Sequence, residues 1–406
     1  MSWYAARMNR SLLALAVLLG VESGALGQSA GEDGRAAPSR IKGEASARNA
    51  EAVASAEAAA AATAFLVGSQ EGESGGEWPY EGVYRVRGQI PIGYRVGGTG
   101  ICAMAVLGSS GFADDAAARA AVERARDFVI AGIEHPLMSE EKYDAGYDVR
   151  GWGYTYGACF LLECKGAGFV PEDAAPMERA IDWYIAAIQK TEIPRAGGWN
   201  YARPPGRENV APMSPFMTAP TLLVLFKAAA MGYEIDGDVV QRGLDALERG
   251  RTAAGGFAYS GDGVRARDGV PGATGRMLSA ETVLYLAGRS SQADLRGALD
   301  AFIVHWEELE KRRAKPGTHE GPYGVAPYYF YFAHYWAAQA AELLPPTERA
   351  EYRRRVRDLI FRTRGGEGTW NDRVFPRSAS YGTAMVSMAL QMQRRDRPQG
   401  WPVTGK

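Results

Sequence analysis

Six ten-residue segments of this chain lie on one another without a gap. They begin at positions 98, 155, 217, 278, 331 and 382 and read GTGICAMAVL, TYGACFLLEC, MTAPTLLVLF, LSAETVLYLA, YFAHYWAAQA and GTAMVSMALQ. The third position is always small: Gly100, Gly157, Ala219, Ala280, Ala333 and Ala384. The seventh holds Met104, Leu161, Leu223, Leu284, Ala337 and Met388, which is core material. Positions three and seven share one face of a helix. A small residue at one level and an apolar one a turn later let a neighbouring helix approach closely. Segments apolar nearly all round belong inside a fold. Self-similarity on this scale marks a repeat architecture.

Between these segments the chain supplies amphipathic stretches, which belong outside. They span Arg48–Val67, Asp115–Ile133, Ala174–Lys190, Gly237–Gly250, Gln292–Arg313 and Pro346–Thr363. Each leads into a glycine–aromatic loop, carrying in turn Trp78, Trp152, Trp199, Phe257, Tyr323 and Trp370. The inner helices are expected at Thr99–Leu107, Tyr156–Cys164, Thr218–Ala230, Ser279–Leu286, Phe332–Leu344 and Thr383–Met392. No strand-type alternation is sustained. Six helical hairpins without polar capping repeats predict closure into a ring, an all-α (α/α)6 toroid.

Bulk properties limit the partners. Of 406 residues, 46% are hydrophobic and 23% charged, and the formal net charge is -1. No basic stripe marks a nucleic-acid binder. Arg7 and Arg10, the apolar run Ser11 to Val21 and the small residues Ala25-Leu26-Gly27 read as a secretory signal peptide over 1–27. The run is shorter than the ~20 residues a membrane span needs, and no later stretch is expected to cross a bilayer. Residues 28–44 read as a linker, 45–394 as the ring and 395–406 as a tail. The mature protein is expected outside the cytoplasm, periplasmic or extracellular. Cys102 and Cys159 share the fifth position of consecutive inner segments. Helix axes ~8–10 Å apart favour free buried thiols there, with a disulfide as the alternative.

The stretch Tyr184-Ile185-Ala186-Ala187-Ile188-Gln189, running on to Gly197-Gly198-Trp199, resembles the repeat of squalene and terpene cyclases. Gly368-Thr369-Trp370 is a second Gly-x-Trp, and the Thr-Ala helix starts resemble prenyltransferase and squalene-oxidase repeats. The resemblance covers about residues 45–394 and implies the α/α toroid of those families. Their catalytic motifs do not carry over. Cyclases of this kind protonate an alkene with an Asp-x-Asp-Asp-Thr-Ala motif at an inner-helix start. Here Thr218-Ala219 is preceded by Ser214, Phe216 and Met217, and Thr383-Ala384 by Ala379, Tyr381 and Gly382. None of the six repeats places a carboxylate there. The zinc-binding Asp-x-Cys of prenyltransferases is also missing, so neither a metal nor another cofactor is expected.

What does not recur can still carry chemistry. The fourth position holds Glu281 and His334 in adjacent repeats. At helix starts they suggest a general acid/base pair, or else hydrogen bonds within the helix ends. Asp144 and Asp148, in the loop KYDAGYDVRGWGY, suit the paired carboxylates of glycoside hydrolysis, or simply a solvated loop. Tyr328, Tyr331 and Tyr335, within a dense aromatic run around His334, and Trp152, Tyr154 and Tyr156 are expected to line a ligand pocket. Two readings follow. One is an exported, non-catalytic or divergent toroid holding a small-molecule, lipid or glycan ligand, or a protein partner, in an aromatic cavity. The alternative is a carbohydrate-active hydrolase or lyase on the same barrel.

Overall fold

Helix α1 starts at Ala37, inside the stretch expected to be a linker, and runs to Gly68. Proline is tolerated in a first helical turn, and the alanine-rich sequence that follows has high helix propensity. The computed structural model describes residues 37–140, 149–201, 211–264 and 268–402, with side chains from Ala50 onward. The expected signal peptide and the first part of the expected linker lie outside the described residues. The chain divides into two compact units, Met1–Ala50 and Glu51–Lys406, and the second holds the ring. By length and composition alone, Ala50–Gly68 is long and apolar enough to cross a membrane (19 residues, mean hydropathy 1.4), against the expectation of no further span. In the ring it is the first outer helix, burying Ala58, Ala62 and Leu66 in the core.

The ring is an (α/α)6 toroid. Its inner helices are α2 (Ile92–Leu107), α4 (Arg150–Gly166), α6 (Pro215–Ala230), α8 (Val270–Leu286), α11 (Tyr329–Leu343) and α13 (Ser378–Leu390). Its other outer helices are α3 (Ala116–Ala131), α5 (Ala175–Lys190), α7 (Gly237–Arg249), α9 (Gln292–Val304), continued by the short α10 (Trp306–Glu310), and α12 (Pro346–Phe361). Inner helices pack in sequence order, and α13 returns to α2, which closes the ring. Among the described residues no strand forms, only isolated bridges between loops.

The outer helices begin and end within a few residues of expectation, α1's start aside. The inner ones begin three to nine residues early. Their first turns are rich in glycine and aromatic residues and read as loop. Glycine is needed there for proximity: a side chain on Gly100 would stand 2.4 Å from the Tyr156 carbonyl oxygen. Trp152 consequently belongs to α4 and not to a loop.

The loop tryptophans act as fasteners. The backbone N–H groups of Trp78, Trp199 and Trp370 donate to the hydroxyls of Thr99, Thr218 and Thr383 on the following inner helix, at 2.9, 2.9 and 3.0 Å. Their indole N–H groups donate to Leu66, Ile188 and Ile360 carbonyls near the end of the preceding outer helix, at 2.7, 2.8 and 3.1 Å. Gly197 adopts φ 75°, and a side chain there would meet the Arg242 carbonyl oxygen at 2.4 Å. In the fifth hairpin the loop aromatic Tyr323 is 51% exposed. Trp306 takes the fastening role from the outer side. The tail docks as well: Arg395 donates to the Met104 carbonyl at 3.2 Å, and the Trp401 ring lies 5.6 Å from Phe226. Cys102, Cys159 and Cys164 are free thiols. Burial pushes all three up, Cys159 to about 11 and Cys164 to about 12.

Candidate functional site

The inner helices direct their N-terminal turns to one end of the ring, and the aromatic loops reach the same end. There a recess is lined by Tyr80 and Tyr201 from loops and by Tyr94, Trp152, Phe216, Tyr328 and Tyr381 at or near inner-helix starts. Tyr80 packs edge-on to Tyr94 and Tyr381, with centroids 5.4 and 5.0 Å away. Phe216 lies 4.7 Å from Tyr328. The Tyr328 hydroxyl donates to that of Tyr201, which is also 3.0 Å from the Tyr259 hydroxyl. Burial pushes the Tyr201 and Tyr328 hydroxyls well above the usual phenol range, so they stay protonated. The recess is about 290 Å³, including space open to solvent.

Behind this wall lies Asp372. Four carboxylates are buried among the described residues: Glu77, Glu281, Glu342 and Asp372. The first three each take a two-pronged bond from an arginine, namely Arg95, Arg251 and Arg353. Asp372 is 0% exposed, and neither of its carboxyl oxygens meets a donor among the described residues. Burial raises its carboxyl to about 7, against the opposing pull of the Arg373 guanidinium, of its own nearby backbone N–H, which is too poorly aligned to count as a hydrogen bond, and of the Arg313 guanidinium. Burial above all, and Asp372 second, raise the hydroxyls of Tyr80 and Tyr381, which places Asp372 near the pocket wall. The Tyr80 hydroxyl is buried beside the Arg373 guanidinium, which opposes the rise, but makes no well-formed hydrogen bond to it.

The geometry is that of an α/α toroid with an aromatic recess at the inner-helix starts. Unsaturated glucuronyl hydrolase from Bacillus sp. GL1 superposes with a TM-score of 0.54 at 11% identity, over 88% of this chain and 99% of that one. The corresponding enzyme from Streptococcus agalactiae gives 0.56 at 9%, over 85% and 92%. A family 76 glycoside hydrolase, a mannosidase from Bacteroides thetaiotaomicron, gives 0.51 at 12%, over 84% and 98%. At these identities the likeness shows the fold. No protein-family model matches the chain, and no curated protein matches its sequence. What the resemblance to cyclases and prenyltransferases implied is thus shown as toroid architecture.

Several expected site residues lie elsewhere in the toroid. Glu281 accepts from Arg251 Nε and Nη2 at 2.9 and 2.8 Å and from the Ser290 hydroxyl at 2.5 Å. His334 is fully buried, with Nδ1 donating to the Phe330 carbonyl at 2.8 Å and Nε2 accepting from the Trp306 indole at 2.8 Å. Burial lowers it to about 4. Both nitrogens are occupied, so His334 fastens α10 to α11. The expected Glu281–His334 acid/base pair gives way to two structural contacts, because each side chain is already saturated within the helical layers. Asp144 and Asp148 lie outside the described residues.

Of the expected aromatics, Trp152 and Tyr328 line the recess and four do not. Tyr154 is buried and its hydroxyl donates to the Met138 carbonyl. Tyr156 packs under Trp152 at 5.2 Å. Tyr331 is buried on the Asp372 side of α11. Tyr335 shares its surroundings with Cys159, Glu163 and Arg395, near the helix ends that the tail covers. Among the described residues no three His, Cys, Asp or Glu side chains gather to hold a metal ion.

Sequence reasoning missed Asp372, although a signal existed. Two residues after the repeated aromatic stand Tyr80, Tyr154, Tyr201 and Tyr259, and in the sixth hairpin Asp372. The acid enters from the loop column, not from the inner-helix starts where cyclases carry theirs.

Proposed function

We propose that this chain is a carbohydrate-active enzyme, a hydrolase or a lyase, in which Asp372 donates a proton at the tyrosine-walled recess. The observation that carries the reading is the buried, unpaired Asp372 carboxyl. A carboxyl raised to about 7 is partly protonated at neutral pH, as a general acid requires. Five of the seven lining residues are tyrosines, whose flat faces suit a sugar ring and whose hydroxyls suit its hydroxyl groups. Solved toroids of the same fold include enzymes named as glucuronyl hydrolases and a mannosidase, which agrees with this reading.

Purely passive binding is the weaker reading. A wall that only holds a ligand needs no desolvated acid, and an unpaired buried carboxyl costs stability. Because the tyrosine hydroxyls stay protonated, they serve as hydrogen-bond donors and not as the base, which favours hydrolysis over elimination. A two-carboxylate hydrolysis needs a second acid, and Asp144 and Asp148 remain the proposed sources. Export, supported by the basic and apolar N-terminus, would put the enzyme where polysaccharides are met.

The test is turnover of a panel of oligo- and polysaccharides by the purified protein. New reducing ends report hydrolysis, and the ultraviolet absorbance of an unsaturated product reports elimination. Asp372→Asn should lower kcat by roughly 100-fold or more with KM little changed. Sugar binding without turnover by the wild type, or full activity of Asp372→Asn, would refute the assignment.

A further inference from the structure

We infer that the ligand of this recess is anionic, a sugar bearing a carboxylate that Arg312 and Arg373 receive beside Asp372. The inference rests on the carbohydrate reading above and narrows it. Arg312 and Arg373 are 1% and 3% exposed. The Arg312 guanidinium makes one long contact, Nη1 to the Pro322 carbonyl at 3.5 Å, and its Nη2 meets no acceptor among the described residues. Arg373 uses Nη2 on the Pro316 and Gly317 carbonyls at 2.9 and 3.0 Å, while its Nε meets no acceptor there. By contrast the neighbouring buried Arg276 has Asp268 at 3.1 Å. Among the described residues neither Arg312 nor Arg373 has a carboxylate within ion-pair reach.

The chain stitches these groups together. The Ala314 N–H donates to the Asp372 carbonyl at 2.8 Å, and Lys315 bridges to Arg373 through the backbone. Arg312 and Arg373 therefore underpin one loop, Arg312 at Pro322 and Arg373 at Pro316 and Gly317. Burial and the nearby Arg276 guanidinium lower Arg312 to about 10, although Glu308, beyond ion-pair distance, pulls the other way. Asp372 is adjacent, but a single carboxyl that titrates at about 7 is only partly ionised at neutral pH and cannot balance two guanidiniums. Buried charge without a partner is strongly unfavourable, and a ligand anion supplies the missing partner. A carboxylate matches the planar fork of a guanidinium. The inner helices also aim their positive ends at this recess, which adds to the same preference.

Calorimetric binding to the full chain tests this with tetrasaccharides of galacturonate, mannuronate and glucuronate, each beside its carboxyl-reduced counterpart. At least one acidic member should bind tenfold or more tightly than its reduced form, and Arg312→Gln should erase that difference. The wild-type comparison stands by itself if the variant fails to fold. Reduced sugars binding as well as acidic ones would overturn the anionic ligand and leave the carbohydrate reading in place. No binding by either class would overturn both. Inorganic sulfate binding as tightly as the best uronate would overturn the sugar carboxylate in favour of a free oxyanion.

Discussion

Asp372 stands where four other hairpins hold a tyrosine, Tyr80, Tyr154, Tyr201 and Tyr259, and that exchange has a cost that can be measured. Its folded carboxyl titrates at about 7 against 3.8 for an ordinary aspartate. Between those values the unfolded chain has lost a proton that the folded chain keeps. Stability attributable to this group is therefore full below about pH 4, falls as pH rises, and levels off above about 7. Asp372→Asn removes that slope. We expect the variant to be more stable than wild type at pH 8, by an amount on the order of a few kcal/mol, and equal to it near pH 4. Equal melting temperatures at pH 8 would show that folding does not raise this carboxyl above its ordinary value. His334 slopes the other way. Its folded value of about 4 lies below the ordinary 6.5, so its contribution is complete above about 6.5 and fades as pH falls toward 4. His334→Ala leaves the Trp306 indole without its acceptor and should cost at least ~1–3 kcal/mol in denaturant unfolding. Sugar binding by the folded fraction should not change. At this scale the sequence misled. Polar residues at helix starts, Glu281 and His334, looked available because nothing in one dimension reveals Arg251 or Trp306 saturating them. The deciding property of Asp372, having no partner, exists only in three dimensions.

The hairpin elements were legible because their chemistry is local. Amphipathic outer helices follow from period, and the small third position of the inner segments follows from close approach. The early turns of the inner helices were hidden, since glycine and aromatic residues normally signal loop. Here Gly93 and Gly97 are helical because the Val149 carbonyl and the Trp152 ring would each stand 2.4 Å from an added side chain. The glycine–aromatic repeats are joints, and the joint predicts its own mutational behaviour. Trp199 is 3% exposed and ties the end of α5 to the start of α6 through two hydrogen bonds. Trp199→Ala should lower stability by about 3–5 kcal/mol, measured by urea unfolding. Ligand affinity per folded molecule should be preserved. Selective loss of binding at unchanged stability would instead make this loop part of the site.

Closure of the ring was inferable from six repeats without polar caps, but the seam itself joins residues nearly 300 positions apart. Ser110 N–H donates to Gln391 at 3.2 Å, the Arg394 guanidinium bonds the Ser110 hydroxyl at 2.7 Å, and Arg377 pairs with Glu71 at 2.5 Å. In an open stack each repeat contributes a nearest-neighbour share, so losing a terminal hairpin removes one share and leaves the rest folded. In a closed ring α2 and α11 both lose an inner neighbour when α13 goes, and the apolar interior opens. The recess is affected too, because Tyr381 belongs to α13 and Asp372 to its loop. A chain ending at Leu344, without α12 and α13, is therefore expected to lose near-ultraviolet dichroism and to melt without a cooperative transition. A single sharp transition of proportionately smaller enthalpy in that truncated chain would show that the hairpins stand as an open array and that closure adds nothing to their stability.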